Sequence, residues 1–299
     1  MKSTKLILLL LITSQLLMSN GWATTKEESK QTSEIISSEQ EKYLLKFNPK
    51  VGKTGQLIMH IDMEIDMEIL GSSMSSKQEM EMGSEMKVVS NTSEKVVTSM
   101  QYTYFAMSMD MPMMGTMEYD SRRKDNESFM AEAMDSSFSE ILNSELIIEQ
   151  SHDGTTLKTT GLDGQNQLQT GQSNMDITSM MNMSQFPEKA LKIGESWYRK
   201  IENETSPYSF DATYTLKNVV DGKVYVDLTS KVGMNELQVK DSETVETKMT
   251  GTQNGSFVYD QKSMWLLEAN LAQDFEMETE EMGMTVPMKM KNNISMVMK

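Results

Sequence analysis

The chain has 299 residues, with 44 acidic against 28 basic side chains, a formal net charge of −16 and no cysteine. That balance sets it against nucleic acid and anionic lipid headgroups. The missing thiols exclude disulfides, thiolate metal sites, a cysteine nucleophile and a lipid-modified cysteine.

Residues 1–23, MKSTKLILLLLITSQLLMSNGWA, join a positive start (Lys2, Lys5) to a short apolar run and close on Gly21-Trp22-Ala23. This is the pattern of a secretory signal peptide cut after Ala23. The run is broken by Thr13-Ser14-Gln15 and falls short of the roughly 20 residues that span a bilayer. No later stretch is apolar enough to span one. The expected location is therefore periplasmic or secreted. Residues 24–42 are polar and charged, a flexible lead-in.

From residue 43 the pattern has period two. In LIMHIDMEIDMEILG, Met59, Ile61, Met63, Ile65, Met67 and Ile69 share one side, and His60, Asp62, Glu64, Asp66 and Glu68 the other. That alternation predicts a long strand with one buried and one acidic, wet face. Met80, Met82, Met86 and Val88 continue it beyond Gly71-Ser72-Ser73, giving a hairpin, and a third strand follows near Val96 to Met109. These make an N-terminal β half, 43–126.

Residues 127–187 read as a connector of helix, hairpin and helix. Met130, Met134, Phe138, Ile141 and Leu142 recur at helical spacing, predicting a helix from Glu127 to Asn143. Asp153-Gly154 suits a hairpin turn. Met180, Met181 and Phe186 suggest a shorter helix ended by Pro187. In the C-terminal β half, 188–299, Asp221-Gly222 and Asn254-Gly255 are further turn signals. Pro287, in a run alternating through Met284, Val286, Met288 and Met290, suggests an edge strand. Lys50-Val51-Gly52 matches Lys192-Ile193-Gly194, and Gly115–Asp120 matches Gly255–Asp260, in the same order, which suggests duplication. The expected fold is mainly β (α+β): antiparallel, a long curved sheet or open half-barrel of two similar halves, with two helices inserted between them.

FPEKALKIGESW (Phe186–Trp197), the preceding GLDG, the M-P-M…MEYDS stretch and the closing EMGMTVPMKMKNNI resemble a family of secreted bacterial proteins of unknown function, found mainly in Bacteroidetes. The likeness covers roughly 43–299. It implies a Gram-negative envelope setting and methionine-rich alternating strands, and it supplies no catalytic residue.

Catalytic patterns are sparse. The two histidines, His60 and His152, form no H-E-x-x-H pair, and Val51-Gly52-Lys53-Thr54 has Phe47 where a phosphate loop requires glycine. Paired carboxylates such as Asp62/Glu64 follow from alternation, so a carboxylate-based hydrolase is the weakest reading. The anomaly is methionine, 32 residues of it. Thioethers are soft ligands, so Met107, Met109, Met111, Met113 and Met114 make a candidate copper(I) or silver(I) site. Methionine is also an adaptable core residue. Because methionines spread over strand after strand and interchange with isoleucine, packing is the favoured reading. The expectation is a non-enzymatic exported protein with no cofactor. Its methionine-rich β surface binds a hydrophobic small molecule, a lipid or an envelope protein.

Overall fold

Alternating apolar and acidic residues can bury one side and solvate the other only on a pleated strand, and Thr54–Ile69 forms one (β1). Ser72–Asn91 (β2), Val96–Met111 (β3) and Gly115–Asp120 (β4) follow, then Glu145–Gln150 (β5) and Thr156–Thr160 (β6). Gln167–Thr170 (β7) and Ser173–Asp176 (β8) pair only with each other. Ser196–Glu202 (β9), Tyr208–Val220 (β10), Lys223–Lys240 (β11), Glu243–Asp260 (β12), Leu266–Glu281 (β13) and Met284–Met298 (β14) complete the chain. The computed structural model describes residues 41–69, 72–111, 115–123, 135, 138–139, 142, 144–161, 167–170, 173–176, 185–202, 208–240, 243–281 and 284–299. The expected signal peptide and nearly all of the 24–42 lead-in lie outside these.

Twelve strands form one open antiparallel sheet in the order β6-β5-β3-β2-β1-β14-β13-β12-β11-β10-β9, with β4 also on β3. The pairing of β1 with β14 joins the first and last strands of the chain, so both sequence halves lie in one continuous sheet. The inward residues of nearly every strand merge into one core, from Ile61 and Met80 through Ile294, Leu271, Phe257 and Leu216 to Ile148. A twisted sheet of this width curls, and curling lets one face supply both sides of a core.

Local chemistry accounts for the turns. Asp221 (φ 52°) and Gly222 (φ 73°) both take the left-handed conformation that a two-residue hairpin demands. Gly154 (φ 86°) turns β5 into β6. The two Lys-hydrophobe-Gly sequences make the same turn. Lys53 N–H donates to the Lys50 carbonyl and Glu195 N–H to that of Lys192, each at 3.1 Å. Gly52 and Gly194 N–H groups then donate to the Val88 carbonyl of β2 and the Leu216 carbonyl of β10, in each case the partner of the strand that the turn leads into.

Four expectations change. Asn254-Gly255 is no turn: it lies inside β12, paired with Thr229-Leu228 and Ala272-Leu271. Its glycine is there for space, since a Cβ would lie 2.4 Å from the Leu271 side chain and 2.6 Å from the Asn270 carbonyl. β14 is a central strand, and it tolerates Pro287 because the ladder to β1 stops at Met288. The hairpin expected in the connector, β5–β6, belongs to the main sheet. The two inserted helices find no support as elements. Asp135, Phe138, Ser139 and Leu142 have helical backbone and the rest of 127–143 lies outside the described residues; the second pattern opens as strand β8, and residues 177–184, with Met180 and Met181, lie outside them too.

Candidate functional site

Register converts methionines that are distant in sequence into one line. Met234 of β11 faces Met249 of β12, which faces Met277 of β13, and that faces Met288 of β14. Met288 faces Met67 of β1, which faces Met74 of β2. Six adjacent strands thus carry methionine at one level, on the inner face. Directly paired residues hold their Cβ atoms about 5 Å apart. Met249 and Met277 are buried, 7% and 8% exposed, while Met67, Met74, Met234 and Met288 are intermediate. The row lies toward the hairpin-turn end of these strands, and on β1 it is roughly 43 Å from the strand's other end at Thr54.

Two levels further in, the lining becomes polar. Ser230, Gln253, Gln273, Asn292, Met63 and Gln78 succeed one another across β11, β12, β13, β14, β1 and β2, and the polar members are all buried. Gln273 Nε2 donates to Gln253 Oε1 and Asn292 Nδ2 donates to Gln273 Oε1, each at 3.1 Å. Gln78 Nε2 donates to the sulfur of Met107 at 2.9 Å. Asn292 Oδ1 is buried without a partner among the described residues. Below this belt the lining is rigid: Ile61, Ile294, Leu271, Leu228 and Tyr214 occupy the next level.

The far end is closed by chain. Tyr43 and Leu191 exchange two backbone hydrogen bonds, Phe47 N–H donates to the His152 carbonyl, and Asn48 N–H donates to that of Ser263. Leu45 and Phe186 are driven into the core at 3% and 2% exposure. Trp197 Nε1 donates to the Gln185 carbonyl at 2.8 Å, tying the 185–191 segment to edge strand β9, while Phe186 N–H donates to the Asp153 carbonyl beside β6. Phe138 stacks on Phe105 at 3.9 Å between ring centres and packs against Tyr119, whose hydroxyl donates to Asp135 at 2.7 Å.

Of the candidate copper ligands, Met107 and Met109 lie on the inner face of β3. Met107 is buried and engaged by Gln78, and Met109 packs on the core one level nearer the turns. Met111 ends β3; its side chain, Met113 and Met114 lie outside the described residues. His152 puts Nδ1 2.7 Å from the Phe47 carbonyl and Nε2 2.8 Å from that of Thr92, a bridge between loops.

His60 is on the outer face, 3.6 Å from Glu81. Glu81 also meets Arg122, which chelates Asp120 and stacks on Tyr104. The Arg122 charge and hydrogen bonds hold the Asp120 carboxyl below its ordinary range. Beside this cluster a shallow groove runs over β12, β13, β14 and β1, lined by Asn254, Ser256, Asn270, Asn293 and Ser295, with Asp62 as its one carboxylate. Among the described residues no three His, Asp or Glu side chains are grouped to hold a metal ion, and no helix is long and apolar enough to cross a membrane.

The methionine row was not anticipated from sequence. Its one sequence signal is symmetry: Met67/Met74, Met234/Met249 and Met277/Met288 each sit equidistant from a hairpin turn.

Residues 164–266 match the Family of unknown function (DUF6263). No curated protein matches the chain. Among solved structures, it is similar to the COG4313 outer membrane channel from Pseudomonas putida F1, at 7% identity and a TM-score of 0.25, over 85% of this chain and 98% of that one.

Proposed function

We propose that this chain is a non-enzymatic exported carrier, periplasmic or secreted after cleavage behind Ala23, that holds a hydrophobic small molecule or lipid acyl chain inside an open half-barrel. The reading also takes the half-barrel as two similar halves, in keeping with their matching Lys-hydrophobe-Gly turns. One observation carries the proposal: an inner face that is rigid and chain-capped at one end, and lined at the other by half-exposed methionines. Unbranched thioether side chains can reshape around varied apolar guests. The buried amides two levels in offer a polar group of the guest a partner in Asn292 Oδ1.

The test is a dansylated C11 fatty acid titrated into protein unfolded, stripped of lipid and refolded. Saturable binding at one site, with blue-shifted emission, is the expected result. Met67→Asp and Met288→Asp variants should weaken it at least about tenfold, a loss of roughly 1.4 kcal/mol. A refolded protein that shows only linear, unsaturable fluorescence would remove the basis of the proposal.

A further inference from the structure

We infer that the six-methionine row is also a binding site for a soft monovalent cation, copper(I), held by thioethers of adjacent strands. A metal ion requires several soft donors at one place. Sequence spacing alone does not provide this, because no two of these six residues are closer than seven positions. The sheet supplies what spacing does not, by facing Met234, Met249, Met277, Met288, Met67 and Met74 in unbroken succession. With Cβ atoms about 5 Å apart and three flexible torsions each, neighbouring sulfurs can converge on one ion.

Packing alone does not account for the composition of this level. The adjacent level toward the amides, across the same strands from β11 to β1, reads Val232, Gly251, Phe275, Met290 and Ile65. That is the mixture an apolar interior ordinarily shows. One step nearer the turns, every strand carries the same soft donor. The neutral thioethers and the absence of carboxylate at this level disfavour hard divalent ions, which need oxygen ligands. Access and field both suit a cation: four of the six are only partly buried. On the opposite face of these strands Asp66, Glu68, Glu276 and Glu278 outnumber Lys289 and Lys248, which raises the local cation concentration.

The site is distinct from the Met107–Met114 cluster, and it does not depend on the interior taking a guest. The experiment titrates the chain with silver nitrate, a redox-stable probe of the same coordination chemistry, by native mass spectrometry and calorimetry. Copper(I) is then measured anaerobically against bicinchoninate. One or two ions per chain, at micromolar affinity or tighter, are expected. Combined M249L, M277L and M288L substitutions keep volume and apolarity and should weaken uptake at least about tenfold. The same variant should keep the parent's far-ultraviolet circular dichroism and its urea midpoint, which reports that it is folded. A control carrying M59L, M82L and M296L should bind the ion as the parent does. No stoichiometric uptake by the parent, or uptake unchanged in the M249L/M277L/M288L variant, overturns the assignment, while fatty-acid binding stands or falls separately.

Discussion

Gln273 serves two buried amides at once, accepting from Asn292 and donating to Gln253. Replacing it with leucine would take away the acceptor of the Asn292 Nδ2 bond and the donor to Gln253 Oε1, and a buried polar group that loses its partner costs about 1–3 kcal/mol. Gln273→Leu should therefore lower the urea midpoint by an amount in that range, whereas Asn270→Leu on the exposed face of β13 should barely move it. Acid dependence also belongs to single residues. Burial would push the Asp260 carboxyl up, but the Ser263 hydroxyl and the nearby Lys53 charge outweigh it and hold it below its ordinary value. Burial at Asp153 is likewise outweighed by Ser151 and Thr155, and Asp120 is held low by Arg122. A carboxylate lowered in the folded state contributes stability that is complete above its unfolded pKa, about 3.9, and is lost as pH falls through the lowered value. Thermal melting should be level from neutral pH down to about pH 5 and fall steeply below about pH 4. Substituting Asp120→Asn should flatten part of that fall.

Strands are where the sequence was most legible, and where its limits have a physical cause. Period two marked β1, β2 and the run now seen as β14, because each has one wet face, and Asp221-Gly222 announced its turn through positive φ. Nothing local distinguishes the glycine of a turn from a glycine that makes room. Asn254-Gly255 looks like the first and is the second, since Leu271 occupies the space its side chain would need. Gly251 is a stricter case: a Cβ there would lie 2.3 Å from the Asp274 carbonyl oxygen and 2.3 Å from the Phe275 ring. Gly251→Ala should force β12 away from β13 and destabilise by about 1–3 kcal/mol, measured as a shifted denaturation midpoint. The candidate site was hidden for a related reason. Hairpin partners can be counted out from a turn, but the pairing of β1 with β14, the first and last strands of the sheet's chain order, depends on which strands meet and is not written in either one.

At the scale of the whole molecule, the inner face grades from rigid aromatic and branched side chains at the capped end to thioethers beside the turns. Dilute hydrogen peroxide should follow that gradient, since sulfoxide formation tracks access to sulfur. Met67, Met74, Met234 and Met288 should convert well before Met80, Met82 and Met100, which are 4%, 4% and 2% exposed; peptide mapping over a time course reads the order. Uniform conversion would mean that the interior opens on the timescale of the reagent.

The facing of Met234 through Met74 carries one more implication. These six side chains come from three hairpins spread over most of the chain, and a slip of one residue in any of them would turn its methionines outward among the acids. The row is therefore a conjunction: it exists only when every strand from β11 to β2 has found its partner in register. Whatever it captures is bound by the finished molecule and by no partly paired precursor, so occupancy doubles as a readout of assembly.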